Sequence, residues 1–361
     1  MRIAQVAPLY ESVPPTGYGG TERVVHNLTE ELVRQGHEVT LFASGDSLSS
    51  AHLVSTCERA LRLDAESKLP HFPHLLQLDR VIARAGEFDV IHFHTEPYHF
   101  PLLPFLKTAT LSTLHGRLDL KEYPPFFHHF ATEPLVSISD HQRLPLPWAN
   151  WAATVYHGLP LDLYSLNHQP GDHVVFLGRI SPEKRVDRAI EIARRAGLNI
   201  KIAAKIDPNE RAYFEREIAP LFELPHVEYI GEIGESVKQE FLGQAKAMLF
   251  PIDWPEPFGM VMIEAMACGT PVIAYRNGSV PEIICNGING YVVENEVEAA
   301  EALATIDSID RRACRDYFDA RFSVSAMAEN YLHIYQNLAG RTGLTMRERL
   351  IDLERADYGF P

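Results

Sequence analysis

The amino-acid sequence predicts an α/β protein made of two doubly wound parallel sheets. Short apolar runs typical of buried strands alternate with helical patterns, the alternation occurs in two series, and a turn-rich stretch separates them. The chain has 361 residues, whereas single hydrophobic cores stop growing at roughly 250–300 residues. We therefore expect two domains that face each other across a cleft, lined by the carboxyl ends of their strands.

The first series covers the N-terminal part of the chain, for which we expect a domain over residues 1–162. Between its first two strands lies GGTERVVHNLTEELVRQG, whose apolar residues fall on one helical face before Gly36 ends the helix. Strand–helix alternation predicts parallel pairing with right-handed crossovers. The predicted strands are RIAQVAPL, HEVTLFAS, FDVIHFH, ATLSTLHG, PLVSISD and ATVYHGL.

The second series follows a linker expected near residues 159–171, LPLDLYSLNHQPGD, and predicts a domain over residues 170–338. Its predicted strands are HVVFLGRI, LNIKIAAKI, VEYIGE, AMLFPI, TPVIAY and GYVVE. Helices are predicted over 183–196, 208–219, 235–245, 258–268, 323–338 and 345–356. The last of them, within residues 340–361, is expected to pack back on the first domain.

Composition excludes several classes of protein. Hydrophobic residues make up 46% of the chain and the formal net charge is -15, which argues against nucleic-acid binding. The four cysteines, Cys57, Cys268, Cys285 and Cys314, are scattered, so we expect reduced thiols rather than disulfides. No segment is typical of a signal peptide or a membrane span, and the sequence predicts a cytoplasmic protein.

The segment WPEPFGMVMIEAMACGTPVIA places two carboxylates, Glu256 and Glu264, eight positions apart. Prolines hold the first in a loop, and the second is expected inside the following helix, where side chains lean toward the helix N-terminus. Both can therefore face one site and accept hydrogen bonds from sugar hydroxyls. The backbone amides at the predicted helix start, Phe258, Gly259 and Met260, are candidates for binding a diphosphate. Isolated carboxylates at this spacing are usually solvated, but the surrounding residues favour a site.

A second segment, FLGRISPEKRVDRAIEIA, supplies two cations. Arg179 follows a strand, and Lys184 is expected at a helix start with Ser181 as its N-cap and Pro182 in the first turn. Two cations and a helix N-terminus suit a diphosphate.

A third segment, GYGGTE, follows the first strand. Gly17, Gly19 and Gly20 permit positive φ and close backbone approach, but their spacing does not match the dinucleotide fingerprint. A dehydrogenase that uses Asp46 to bind ribose is therefore the weaker interpretation.

These segments together resemble the retaining glycosyltransferases of family 4, the group 1 or glycogen synthase type, over nearly the whole chain. The resemblance implies the GT-B fold of two Rossmann-like domains, the first binding the acceptor and the second a nucleotide sugar. It implies that Glu256 binds the transferred sugar, Glu264 the ribose, and Arg179 and Lys184 the departing diphosphate. The glycines Gly19 and Gly20 would border the acceptor site and the donor phosphates, with Glu22 capping the helix.

The resemblance extends to other positions. It implies that His115 lies by the donor sugar, near its C6 hydroxyl and anomeric centre. It also implies that the backbone of Gly231, Glu232 and Ile233 reads the nucleotide base. The chain departs from the family where Arg185 replaces a usual Gly and His157 a usual Asn. The residues expected to bind donor or take part in catalysis are Arg179, Lys184, Glu256, His115, Gly19, Gly20, Gly231, Glu232, Ile233, Phe258, Gly259, Met260 and Glu264.

The expected reaction is metal-independent transfer of a hexose to a hydroxyl acceptor, because no D-x-D sequence is present to hold a divalent ion. His92, His94 and His99 invite a metal hypothesis, but with Glu96 as the only close acid we expect structural roles. No cofactor is expected besides the nucleotide-sugar substrate, and the acidic chain favours a soluble acceptor. Three alternatives stay open: another GT-B enzyme such as a sugar-nucleotide epimerase or a phosphorylase, a dehydrogenase, and a non-catalytic nucleotide-sugar sensor.

Overall fold

A computed structural model describes residues 1–17, 19–64, 69–95 and 97–340 of the chain. It divides into two compact units: Met1–Gly158 together with the segment from Val324, and Leu159–Ser323. Each unit is an α/β domain around one parallel sheet, as the sequence predicts, and the fold class is confirmed. No helix among the described residues is long and apolar enough to span a bilayer.

The first unit contains a seven-stranded sheet with the order β3-β2-β1-β4-β5-β6-β7, paired in parallel throughout. Its central strands are buried almost completely, as expected for strands covered on both faces. The strands are β1 (Arg2–Val6), β2 (Glu38–Phe42), β3 (His52–Val54), β4 (Val90–Phe93), β5 (Ala109–Thr113), β6 (Leu135–Ser137) and β7 (Trp151–Thr154). The helices are α1 (Gly20–Arg34), α2 (His71–Arg84) and α3 (Tyr123–His129), with 3₁₀ turns at Ala85–Glu87, Phe100–Phe105 and His141–Arg143.

The second unit contains a six-stranded parallel sheet with the order β10-β9-β8-β11-β12-β13. The strands are β8 (His173–Arg179), β9 (Asn199–Lys205), β10 (Val227–Gly231), β11 (Ala247–Phe250), β12 (Val272–Tyr275) and β13 (Gly290–Val293). The helices are α4 (Val186–Ala196), α5 (Arg211–Tyr213), α6 (Ala219–Phe222), α7 (Glu235–Gly243), α8 (Met260–Ala267), α9 (Val280–Ile283), α10 (Glu296–Thr305) and α11 (Arg311–Arg321). A π-helical stretch, Phe214–Ile218, joins α5 to α6, and 3₁₀ turns occur at Pro208–Glu210 and Ile306–Ser308.

The final described helix, α12 (Val324–Ala339), belongs to the first unit, so the predicted second domain ends too late at residue 338. Its buried Tyr331 and Tyr335 form hydrogen bonds with β-strand side chains of the first sheet. The apolar pattern correctly predicts a helix over 323–338 but does not say which core receives it. The helix predicted over 345–356, and its packing within 340–361, lie outside the described residues.

The predicted linker at residues 159–171 is part of the second unit. Arg315 donates hydrogen bonds to the carbonyls of Leu161 and Tyr164, both at 2.6 Å, and Gly171 N–H donates to Gln244 O at 2.7 Å. The chain therefore changes unit at Gly158 rather than at residue 162. Composition indicates a turn-rich segment but does not reveal these hydrogen bonds to the second unit.

Candidate functional site

In the second unit, the candidate residues lie beyond the carboxyl ends of adjacent strands. Strands β8 and β11 pair in parallel, so the segments that follow them emerge at the same edge of the sheet. Arg179 is the last residue of β8, and the loop carrying Trp254 and Glu256 follows β11. This topology brings two motifs together that are about seventy residues apart in the sequence.

Lys184 and Glu256 form a buried ion pair at this edge. Their side chains are only 13% and 11% exposed, and the ammonium contacts Glu256 Oε2. Trp254 donates its indole N–H to the same oxygen at 3.0 Å, and the Lys184 ammonium lies 4.9 Å from the centre of the Trp254 ring. The Trp254 ring therefore contacts both the cation and the carboxylate and holds them next to each other. Trp254 begins the WPEPFG motif, but no residue pattern in the sequence assigns it a role.

The helix predicted from residue 183 begins later, at Val186. Residues 181–184 form a turn closed by Lys184 N–H donating to Ser181 O at 3.1 Å, and Arg185 follows in the left-handed conformation with φ 54°. Pro182 suits the second position of a turn as well as a helix start, which explains the error. The N-cap prediction for Ser181 is wrong, and Lys184 lies in the turn before the helix.

Arg185 occupies the left-handed position that the family usually gives to Gly. Its guanidinium binds Asp187, with 2.7 Å from Nη2 to Oδ2, and Asp253, with 3.0 Å from Nη1 to Oδ2. The hydrogen bond to Asp187 is the main reason that the pKa of Arg185 is raised. Asp253 N–H also donates to Glu183 O at 2.8 Å. Arg185 therefore ties the Lys184 turn to the Glu256 loop and offsets the cost of its backbone conformation.

Arg179 contacts a carboxylate of the same turn. Its Nη2 lies 3.3 Å from Glu183 Oε1, and both side chains are about one-third exposed. The Arg179 guanidinium therefore lies next to the turn that carries Lys184. Two cations thus flank the edge at which β8 ends.

Glu264 lies in α8 with its carboxylate buried. Oε1 accepts a hydrogen bond from Lys238 at 2.8 Å, while Oε2 is buried and accepts none within the part of the chain that the structure describes. Lys238 also lies 3.5 Å from Glu235, which accepts a hydrogen bond from Tyr164. Burial and the neighbouring carboxylates raise the pKa of Tyr164. No sequence motif signals the Lys238–Glu264 pair.

Helix α8 begins at Met260, two residues later than predicted, because Gly259 adopts φ 81° as its N-cap. Phe258 therefore lies before the helix, and its carbonyl accepts a hydrogen bond from Ser279 Oγ at 2.8 Å. Gly259 and Met260 remain at the helix start, where amides favour anions.

The turn at Asn277–Ser279 packs directly on the Glu256 loop. Ser279 N–H donates to Glu256 O at 2.9 Å, and Gly278 has φ 57°. A Cβ at Gly278 would lie 2.2 Å from Glu256 O, so only glycine fits there. This close approach is visible only in the structure.

The expected base-reading loop follows the edge strand β10. Gly231 ends the strand with φ 82°, Glu232 is exposed, and Ile233 is half-buried. The positive φ redirects the backbone out of the sheet immediately after the strand.

In the first unit, His115 follows β5 and lies among other imidazoles. Its Nε2 is 2.8 Å from His94 Nδ1, and its ring stacks on His157 with centroids 5.3 Å apart. Burial lowers the pKa of His115 to about 3, so the ring is neutral at pH 7. His157, where the family usually has Asn, is thus a stacking partner of His115.

His92 and His99, which invited a metal hypothesis, form hydrogen bonds with protein groups. His92 bonds to Tyr335 and Thr113, both at 2.7 Å, and His99 Nε2 lies 2.7 Å from Ser112 Oγ. Among the residues with described positions, no group of three His, Cys, Asp or Glu side chains is placed to hold a metal ion. Glu96 lies outside these residues.

The glycine loop before α1 does not use positive φ at its last two positions. Gly19 is extended with φ -178°, and Gly20 begins the helix. A Cβ at Gly19 would lie 2.7 Å from Pro15 Cβ. The close approach of these two residues therefore favours glycine at position 19. Glu22 lies in the first turn, and burial raises the pKa of its carboxyl although backbone amides of Glu22 and Glu11 hydrogen-bond to it.

Two family models match the chain in adjacent segments. The glycosyl transferases group 1 model matches residues 166–312, and the glycosyltransferase family 4 model matches residues 18–157. With the GT-B fold and glycosyltransferase relatives along nearly the whole chain, these matches define the class. The chain belongs to the family 4, group 1 glycosyltransferases and is a transferase enzyme.

One relative and two solved structures are similar to this chain over most of its length. A phosphatidyl-myo-inositol mannosyltransferase from Mycobacterium leprae is 24% identical and covers 94% of this chain and 97% of its own. The structure of AviGT4, a glycosyltransferase involved in avilamycin A biosynthesis, is 25% identical with a TM-score of 0.72 and covers 94% of this chain and 98% of its own. HepE from Anabaena, crystallised with UDP and glucose, is 17% identical with a TM-score of 0.69 and covers 94% of this chain and 100% of its own.

Proposed function

We propose that this glycosyltransferase moves a hexose from a nucleotide-diphosphate sugar to a hydroxyl acceptor, with retention of configuration and without a divalent metal. The observation that carries the proposal is the buried Lys184–Glu256 pair at the strand ends of the second unit. A cation beside a carboxylate suits a ligand that joins a diphosphate to a sugar.

The donor assignment is supported by carboxylate oxygens that can accept hydrogen bonds from the donor. The buried Oε2 of Glu264 can accept a hydrogen bond from a ribose hydroxyl, and Glu256 can accept them from the sugar. The HepE structure contains UDP and glucose, and the mycobacterial relative is named a mannosyltransferase, so hexoses and nucleotide donors occur among similar proteins.

The chemical step that we propose needs charge stabilisation more than covalent chemistry. The acceptor oxygen attacks the anomeric carbon on the face from which the diphosphate leaves. The anomeric carbon–oxygen bond breaks, and the acceptor proton passes to an oxygen of the leaving diphosphate. Arg179, Lys184 and the amides at the start of α8 stabilise the charge that develops there, commonly the largest catalytic effect. His115 binds a hydroxyl of the donor sugar.

The proposed setting of the reaction is the cytoplasm, in carbohydrate biosynthesis, with a soluble acceptor. All four cysteines are free and the net charge is -15, which suits a reducing compartment and disfavours anionic lipid surfaces.

The test is donor turnover in the presence of EDTA. We expect release of nucleoside diphosphate from one series of UDP-, GDP- or ADP-hexoses at the same rate with and without the chelator. Water or an added sugar then serves as acceptor, and NMR of the first product should show the anomeric configuration of the donor. An inverted product, or activity that requires added Mg²⁺ or Mn²⁺, would contradict the proposal.

A further inference from the structure

A continuous line of hydrogen bonds runs through the first unit from His115 to helix α12. It joins residues that are up to 330 positions apart in the sequence, and every link lies between described side chains. In order, the groups are His115, His94, Gln5, Tyr335, His92, Thr113 and Tyr331.

The three imidazoles of this line are neutral. Burial is the main cause that lowers the pKa of His92 and His94 far below the usual value, and that of His115 to about 3. A neutral imidazole has one N–H donor and one acceptor nitrogen. Each ring must therefore donate on one side and accept on the other, which gives the line a direction.

The amide of Gln5 sets that direction. Its Nε2 donates to Tyr335 OH at 3.0 Å, and its Oε1 lies 2.9 Å from His94 Nε2. An amide oxygen only accepts, so His94 carries its proton on Nε2 and accepts at Nδ1. His115 Nε2, 2.8 Å from that Nδ1, must then be the donor.

On the other side of Gln5, the hydrogen bonds run away from the amide. Tyr335 OH accepts from the amide, so its own proton goes to His92 Nδ1 at 2.7 Å. His92 then donates from Nε2 to Thr113 Oγ1 at 2.7 Å, and Thr113 donates to Tyr331 OH at 3.0 Å. Reversing the Gln5 amide would reverse every link, so the three rings share one tautomer.

We propose that Gln5, His94 and Tyr335 are positioning residues that lock His115 in the Nε2–H tautomer, with its lone pair on Nδ1. A group that binds at Nδ1 must then donate a hydrogen bond, as a sugar hydroxyl does. This use of the lone pair rests on the proposed function, whereas the tautomer does not.

The test is the tautomeric state itself, read from long-range ¹H–¹⁵N correlation spectra of deuterated protein labelled with ¹⁵N-histidine. Without any donor, His92, His94 and His115 should all show the Nε2–H pattern at pH 7. The Nδ1–H pattern at all three, or different patterns among them, would overturn the proposal. Because no substrate is present, this result is independent of whether the donor assignment holds.

Two matched variants on α12 test the coupling. In Tyr335→Phe, the Gln5 amide loses the hydroxyl that fixes its orientation, whichever of its two groups faces His94. Both amide orientations then become accessible, so His115 should populate both tautomers. With half of the molecules in the competent form, donor affinity should fall about twofold. Tyr331→Phe removes only the terminal acceptor and should leave the His115 signals unchanged. Tyr335→Phe spectra identical to those of the wild-type protein in the His115 region would contradict the coupling.

Discussion

Replacing Lys184 with Ala should reduce kcat by about 10²–10³-fold, because a fixed cation next to the departing diphosphate is lost. The substitution also leaves the buried Glu256 carboxylate with the Trp254 indole N–H as its remaining hydrogen-bond donor among the described side chains, so some loss of stability is expected. Steady-state rates should therefore be measured well below the unfolding temperature of each variant.

Lys246 provides the matched control for this experiment. Its ammonium pairs with the exposed Asp307 at 2.7 Å on the surface of the same unit. Lys246→Ala removes the same charge and a salt bridge of little energetic weight, and should leave kcat unchanged. Rates for Lys184→Ala within threefold of the wild-type rate would show that the lysine serves only the fold.

Replacing Gly278 with Ala should impair folding and activity together. The new Cβ would lie 2.2 Å from Glu256 O and 2.3 Å from Glu256 N, so the Glu256 loop must move. We expect a loss of about 1–3 kcal/mol in the free energy of unfolding from the clash, with a further ~1–2 kcal/mol because φ is 57°. A displacement of Glu256 by about 1 Å would lower the transfer rate on the order of 10²-fold.

Gly287→Ala separates the two causes. Gly287 has a similar φ of 78°, but a Cβ there would meet nothing within 4 Å. Denaturant unfolding should therefore show only the backbone cost, and transfer activity should be unchanged. Equal loss of activity in both variants would mean that the Glu256 loop does not depend on this close approach.

The fold was predictable from the sequence because its strands are short, buried and bounded by turn residues. Periodicity gives the type of each element, but it does not identify the core against which an element packs. Helix α12 shows this limit, since its tyrosines bond to strands more than two hundred residues away. The short strand β3 and the helix α2 were not singled out, because one has three residues and the other lacks a recognisable N-cap.

Site residues were predictable where they belong to a sequence motif. Residues that are close only in the folded structure were not. The segments with Arg179, Lys184, Glu256 and Glu264 were recognised, and the structure adds that Lys184 contacts Glu256. The Lys238–Glu264 pair was missed because 26 positions separate its members and neither belongs to a periodic pattern. The helix predicted from residue 183 begins only at Val186, because Pro182 fits a turn equally well and a left-handed Arg185 has no sequence signature.

The most direct test of the donor site is calorimetric titration of UDP-, GDP- and ADP-sugars into the metal-free protein and its Glu264→Ala variant. One nucleotide series should bind to the wild-type protein in the micromolar range. Loss of a charged hydrogen-bond acceptor, at about 1.5–3 kcal/mol, should weaken that binding about 10–100-fold in the variant. Glu240→Ala, an exposed substitution on α7, should bind like the wild-type protein. Absence of binding by every series, or equal affinity in Glu264→Ala, would contradict the placement of the donor at the strand ends of the second unit.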